Sequence, residues 1–468
     1  MEIMSLSDYI VWDGFLFFAV IAVLLLFANT LRRKIPFLRK SLLPTAVIAG
    51  FIGLLFKETL FQSIVGTEEV LEVNRYYSMI TYHTIALGFI ALGLKVNESF
   101  KVKTKRLQSM SSGLLIVSTY LLQGLFGLVL SLSLAYTFFP NLFKAAGMLV
   151  PMGFGQGPGQ AQNIGGVYQI SHGFEGGTTF GLAIASFGFL WAAVAGVVYL
   201  NYLYKKGTIT KQSVQRNNYV SSQEIETPDE IPVAESIDKF TIQVSLVFLV
   251  YFITYLAMLG INEVLLTGLL GDFGINTVIP LIWGFNFIIG MLFAILFKYI
   301  FLGLRKVKIM TRQYPNNYML NRITGFVFDI MIVASIVAIR IEDLNQLWIP
   351  FFIMVIVVGL LTLLFVQFMA RRIYPDYKEA ATLGMFGMLT GTASTGVVLL
   401  REVDPNFETP AANDLVMGSS TAILFGFPIL LLVGIAPISL MHTLIVFGII
   451  VVLFITASTI LLKLHPKQ

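Results

Sequence analysis

No cysteine occurs among the 468 residues, so disulfides, thiolate metal sites and cysteine nucleophiles are excluded. Histidine is nearly as scarce. His83, His172, His442 and His465 are the only four, and they are too scattered to suggest a metal cage. Charge is thin as well: Asp, Glu, Lys and Arg make up 12% of the chain, against roughly 25% in an ordinary soluble domain. There is no His-Glu-x-x-His motif and no pair of aspartates inside an apolar run, which argues against a membrane-embedded enzyme. The N-terminal MEIMSLSDYIVWDG carries Glu2, Asp8 and Asp13 but no basic residue. A secretory signal starts basic, so the first apolar run is expected to be a retained span.

What the chain has in abundance is apolar surface. Hydrophobic residues make up 56%, and the mean hydropathy is +0.82. They are gathered into repeated runs approaching the 20 or so residues needed to cross a bilayer. Spans are expected at about Val11–Thr30, Ser41–Phe56, Ser78–Leu94, Gln108–Phe139 and Gly177–Tyr204. After a polar linker over Lys205–Asp238, further spans are expected at Lys239–Leu259, Val278–Tyr299, Gly325–Arg340, Leu347–Ala370, Leu415–Ile435 and Leu440–Leu462. The linker, rich in Gln, Ser, Asn and Glu with Pro228 and Pro232, is the one stretch of disordered composition.

Two segments break this pattern. Pro140–Gln169 is a short apolar run interrupted by Gly153, Gly155, Gly157 and Gly159, and Tyr374–Leu400 is interrupted around Gly391. Neither arm of the first segment is long enough to span. Broken backbone at membrane depth is tolerated only where protein or a water-filled cavity satisfies its polar groups. If both segments re-enter on the side they left, all but four of the 31 basic residues fall on one face. The exceptions are Lys57, Arg75, Lys144 and Arg340. The positive-inside bias makes that face cytoplasmic, with the N-terminus outside and the C-terminus inside. The net charge of +5 is thus a matter of membrane orientation and does not point to nucleic acid.

The expected fold is an all-α polytopic membrane protein made of two inverted repeats. Each repeat has five transmembrane helices and one re-entrant hairpin, and an extra C-terminal transmembrane helix follows. Residues 1–204 form the first repeat, with an outward-opening hairpin over 140–170. Residues 205–238 form a cytoplasmic linker. Residues 239–436 form the second repeat, with an inward-opening hairpin over 375–400, and residues 437–468 hold the extra helix and tail. An odd number of crossings per half inverts the second half. Matching traces support the repeat, among them Phe139-Pro140-Asn141 with Tyr374-Pro375-Asp376, and Leu94-Lys95-Val96-Asn97-Glu98 with Ile339-Arg340-Ile341-Glu342-Asp343. Paired interrupted segments are the best sequence pointer to a transporter binding site.

At each tip the backbone leaves its helical ladder, and the second arm starts there with its positive dipole end. That end suits an anion, while unwound carbonyls and hydroxyls suit Na⁺. Candidate substrate-binding residues are Gly155, Gln156, Gly157, Gln160, Gln162 and Asn163 in the first hairpin, with Thr392, Ser394, Thr395 and Arg401 in the second. Gly153, Thr390 and Gly391 are candidates for a Na⁺ site. Simple close packing is the competing explanation for the glycines. Arg401 can clamp a carboxylate or anchor the cytoplasmic end beside Glu402 or Asp404. Asp329 is a functional ionisable group or a partner of Arg322. His83 is expected to be packed, and Thr84, Thr178, Thr179 and Ser419 to Thr421 mostly to bond back to their own helices.

These residues resemble the bacterial sodium/glutamate symporter family. Phe154-Gly155-Gln156-Gly157-Pro158-Gly159 looks like its G-G-H-G-T-G loop, and Ala185-Ser186-Phe187-Gly188-Phe189 is similar to its A-T-F-G-L stretch. Thr84-Ile85-Ala86-Leu87 resembles T-I-G-L, and Gly391-Thr392-Ala393-Ser394-Thr395-Gly396 resembles G-A-T-P-T-A. Gln156 stands where the family carries histidine, Leu399 where it carries asparagine, and the loop proline is absent. The resemblance implies a dimeric secondary carrier in the bacterial inner membrane. It would import glutamate or a related amino-acid or carboxylate anion with Na⁺ as coupling ion, by elevator movement. A 2-hydroxycarboxylate or dicarboxylate carrier coupled to H⁺ or Na⁺ is the nearest alternative, and a channel a more distant one.

Overall fold

Apolar runs become helices in this chain because a bilayer offers backbone groups no partner but one another. The computed structural model describes residues 9–96, 103–208, 236–310, 314–404 and 407–465, and among these every regular element is helical. In chain order the principal helices are α1 (Tyr9–Lys34), α2 (Thr45–Phe56), α3 (Thr67–Leu94), α4 (Lys103–Thr137), α5 (Pro158–His172) and α6 (Gly177–Lys205). They continue with α7 (Ser236–Leu266), α8 (Asn286–Lys306), α9 (Asn317–Val337) and α10 (Trp348–Ile373). The last four are α11 (Lys378–Thr390), α12 (Ala393–Arg401), α13 (Ala411–Ile435) and α14 (Leu440–Leu464). Among the described residues, ten helices are long and apolar enough to cross a membrane. α13, with 25 residues, is of similar length. The chain is therefore an all-α polytopic membrane protein.

Several boundaries differ from the sequence expectation. α2 does not end at Phe56 but passes through a wide turn at Lys57–Phe61 and on to Val65. Lys57, expected in an outside loop, is 3% exposed. Its Nζ donates to Asn74 Oδ1 at 2.6 Å, Val337 O at 2.7 Å and Ile339 O at 2.6 Å, and lies 3.0 Å from Glu58. A cation so supplied with acceptors can lie inside the protein. α3 begins at Thr67 instead of Ser78, because Glu68 and Glu69 sit in its first turn, where carboxylates favour the helix dipole. The span expected at Val278–Tyr299 is interrupted after Gly284, a poor helix former, and α8 starts afresh at Asn286. Most of the linker expected at Lys205–Asp238, together with Glu2, Asp8 and the Asn97–Glu98 end of the repeat trace, lies outside the described residues.

The chain forms two compact units. One comprises Met79–Ser99 and Gln215–Met331. Its core joins Ile90 and Leu94 of α3, Val247 and Val250 of α7, Ala294 of α8, and Leu320 and Ile323 of α9. Polar contacts pin the same helices: a His83 ring nitrogen lies 2.7 Å from the Tyr251 hydroxyl, and Asn317 exchanges two hydrogen bonds with the Val96 backbone. His83, expected to be packed, is instead exposed on α3 and meets Tyr251 through this contact. Arg322 spends its charge on Tyr318, its guanidinium 5.2 Å from the ring centre, while Asp329 is exposed on α9.

The other unit comprises Met1–Ser78, Phe100–Val214 and Ile332–Gln468. α4 is its axis, with two-thirds of its apolar window buried, whereas α1 buries 17%. Glycines bring neighbours close to α4. A Cβ on Gly113 would sit 2.7 Å from Thr421 of α13, and one on Gly127 would sit 2.2 Å from the Gly147 carbonyl oxygen. α6 and α10 run parallel, since their contacts rise in step. Phe187 packs on Phe351, Trp191 Nε1 donates to Val355 O at 2.6 Å, and Gln367 Nε2 donates to the Tyr199 hydroxyl at 3.0 Å.

Candidate functional site

The first interrupted segment folds back on itself. Its first arm is a tight turn at Lys144–Met148 followed by a wide one at Pro151–Gln156, and its second arm is α5. Gly157 makes the join with φ +97°, a conformation other residues avoid, and Pro158 at the first helical position starts α5 where its missing N–H costs nothing. The two ends of the segment meet. The Phe143 ring stacks on Phe174 at 4.7 Å and lies 5.6 Å from Tyr168.

The second segment is a tighter hairpin of α11 and α12 joined by Gly391 and the extended Thr392. Its arms touch through glycine. A Cβ on Gly396 would sit 2.5 Å from Gly384 O, and one on Gly387 would sit 2.9 Å from Gly396 Cα. Close packing therefore explains Gly387 and Gly396, and likewise Gly153 against Ile184 and Gly155 against Tyr120.

The two tips come together on α6. A Cβ on Gly188 would lie 2.1 Å from the Thr390 carbonyl oxygen and 3.0 Å from the Phe154 ring, one neighbour from each hairpin. A Cβ on Gly157 would lie 3.9 Å from Thr392 Cγ2, tip against tip. α4 holds both from the other direction. The Tyr120 hydroxyl donates to Gly155 O at 3.0 Å. One turn on, Gln123 Nε2 donates to Leu389 O at 2.8 Å and to the Thr362 hydroxyl of α10 at 3.2 Å.

The chemistry offered here is oxygen without charge. Gln160, Gln162 and Asn163 are buried at 4%, 5% and 7% exposure. Gln162 donates Nε2 to Ser78 O at 2.7 Å. The side-chain oxygens of Gln123, Gln160 and Gln162 accept no hydrogen bond among the described residues. A buried acceptor left open is costly unless something else satisfies it, and hard amide oxygens are the ligands that hard cations prefer. Thr392 and Thr395 place their hydroxyls 3.3 Å apart, Gln156 is half-buried, and Ser394 is exposed on the first turn of α12. The Thr390 hydroxyl bonds back to Phe386 O at 2.8 Å, leaving its backbone carbonyl to face α6. Arg401 is not brought to the tips. It ends α12, eight residues or about 12 Å from the helix start, exposed, with its guanidinium 5.2 Å from the Phe407 ring. Asp404 instead accepts from the Glu408 and Thr409 amides.

A family model for the sodium/glutamate symporters matches residues 12–409. The chain belongs to that family. Membership implies Na⁺-coupled glutamate transport as the class of function and makes this a transporter chain. Comparison with curated proteins returns no match. Both hairpins fall inside the matched region of this symporter. The sequence missed Tyr120, Gln123, Gly188 and Thr362 as parts of the site. Gln123 did carry a signal, a lone amide inside the apolar run Leu121-Leu122-Gln123-Gly124-Leu125. Of the hydroxyls expected to bond back to their own helices, Thr84, Ser419 and Thr421 do so, to Ile80 O, Leu415 O and Met417 O. Thr179 instead donates to Asp343 Oδ2 at 2.9 Å.

Proposed function

We propose that this symporter binds glutamate and Na⁺ where its two hairpin tips meet, and carries both across the membrane by an elevator movement. The observation behind this reading is the joint approach of Thr390 O and Phe154 to Gly188. The starts of α5 and α12 approach one another there, a Cβ on Gly157 lying 3.9 Å from Thr392, and the open Gln123 oxygen lies 3.0 Å from a Cβ on Gly155. The N-termini of α5 and α12 supply N–H groups to a carboxylate. Gln156, the backbone at Gly155 and Gly157, and the Thr392, Ser394 and Thr395 hydroxyls complete the anion site. Gln160, Gln162 and Asn163, expected from the sequence to bind substrate, are assigned here to the coupling ion together with the backbone carbonyls at Gly153, Thr390 and Gly391. Gln123 joins them through its open oxygen. The glycine contacts of α6 with both hairpins favour their travelling as one body. A Cβ on Gly181 would meet Ala161 O at 2.4 Å, and one on Gly196 would meet Leu399 at 2.7 Å.

The same reading takes the two halves as inverted repeats with the first hairpin opening outward and the second inward. It places the protein in the bacterial inner membrane as a homodimer, N-terminus outside. Arg401, at the far end of α12, is assigned to the substrate's exit path on the cytoplasmic side. The test is uptake of labelled glutamate into proteoliposomes under an inward Na⁺ gradient. Accumulation should vanish when Na⁺ is replaced by choline. Accumulation without Na⁺, or of malate in preference to glutamate, would overturn the assignment in favour of an H⁺-coupled or dicarboxylate carrier.

A further inference from the structure

A second site lies away from the hairpin tips. α6 and α10, running parallel, finish at one common end with Lys205 and with Arg371 and Arg372, and α11 begins there at Lys378. A cavity of about 390 Å³ opens between them, within the roughly 300–1,000 Å³ usual for small-ligand sites. Lys206, Arg371 and Lys378 line it with Tyr199 and Tyr202, against a single carboxylate, Glu379. The charged lining carries three positive groups and one negative.

The approach to this pocket is apolar. Val194 and Val198 of α6 are 62% and 64% exposed, one turn apart and one turn below Tyr202. Leu360, Leu364 and Phe368 of α10 form a matching exposed row toward the same end. In a bilayer such rows face acyl chains, and basic residues with tyrosines at helix ends stand at headgroup level. A soluble anion would use the cations and ignore the rows. A phospholipid uses both, and basic pockets between spanning helices are a recognised way of holding its phosphate.

We propose that this pocket binds the phosphodiester of an anionic phospholipid, with its acyl chains along the exposed faces of α6 and α10. The inference needs only that the chain spans a bilayer, and it stands or falls independently of the transported substrate. The full-length protein in detergent is titrated with dioleoyl phosphatidylglycerol or dioleoyl phosphatidylcholine, and retained lipid is read by native mass spectrometry. Phosphatidylglycerol should be retained in preference. Each of Lys206→Gln, Arg371→Gln and Lys378→Gln should weaken it about five-fold and leave phosphatidylcholine unchanged. Lys463→Gln, remote in sequence at the end of α14, should change neither. Equal retention of the two lipids, an equal loss in Lys463→Gln, or displacement by inorganic phosphate at the lipid's own concentration would overturn the proposal. If the cation variants fail to fold, Glu379→Gln decides, since it should raise phosphatidylglycerol retention and an unchanged value refutes the site.

Discussion

The meeting of the tips on α6 makes Gly188→Ala a severe test. The added methyl carbon would sit 2.1 Å from the Thr390 carbonyl oxygen and 3.0 Å from the Phe154 ring. Ordinary contact begins at 3.4 Å, so the carbonyl must retreat by about 1.3 Å, the difference between the two. It is backbone and has no rotamer to yield. Thr390 immediately precedes the turn at Gly391, so the displacement is passed to the tip itself. Overpacking of this kind costs about 1–3 kcal/mol, partly offset by the 0.5–1 kcal/mol that alanine gains over glycine inside a helix. The net loss in melting stability should be modest, while uptake, which depends on tip geometry at the sub-ångström scale, should fall at least ten-fold. Gly448→Ala is the control. Nothing lies within 4 Å of a Cβ there, so it should melt slightly higher and transport normally. Purified variants would be compared by thermal unfolding in detergent and by Na⁺-driven glutamate uptake in proteoliposomes. Wild-type uptake by Gly188→Ala would show that the tips do not form the site on α6.

Three further outcomes follow from the same contacts. Gln123→Leu removes the donor to Leu389 O and the open oxygen beside Gly155. It should raise the Na⁺ concentration for half-maximal uptake several-fold, and an unchanged Na⁺ dependence would remove Gln123 from the ion site. Lys57→Met strips a donor from three oxygens at the end of α9 and on α3. At about 1–3 kcal/mol for a buried acceptor left open, unfolding should ease by about 3 kcal/mol in total, and a loss below 1 kcal/mol would refute the role. Lys95, just past the end of α3, has its pKa pushed down to about 8 by burial, from near 10.4 in the unfolded chain. The folded state binds this proton less tightly, so the burial penalty is fully present below pH 8 and is relieved between pH 8 and 10.4. Wild type minus Lys95→Gln should therefore gain melting stability across that window, and a flat difference would contradict the burial.

The sequence made the membrane class and both broken segments legible, because each rests on a strong local signal. Apolar runs mark spans, and glycine clusters mark the places where a span cannot continue. The glycines alone did not separate their two jobs. Gly157 serves the chain's direction through its positive φ, whereas Gly155, Gly387 and Gly396 make room for a neighbour, and only the neighbour reveals that. Gln123 and Gly188 lie in the unbroken helices that flank the first hairpin, so local composition could not place them against its tip. Lys57 went the other way. A lysine at the end of an apolar run ordinarily marks the membrane edge, but the acceptors that hold it inside come from residues 280 and 282 positions along the chain.

The absence of charge at the tips bears on coupling. Gly153 through Asn163 and Thr390 through Gly396 contain no ionisable residue, so an anion bound there is met by dipoles, amides and hydroxyls. A site without its own counter-charge moves the cargo's net charge through the field, at about 2.3 kcal/mol per charge per 100 mV. With a cell interior negative, an unaccompanied glutamate anion would be driven outward. Two or more cations reverse that sign, and the unpaired oxygens of Gln123, Gln160 and Gln162 are the groups available to receive them. Uptake in proteoliposomes clamped with potassium and valinomycin should accordingly quicken as the interior is made negative. If the rate is indifferent to the potential, a single Na⁺ accompanies each glutamate. If it slows, the anion travels without a full counter-charge and the oxygens at the tips hold something else.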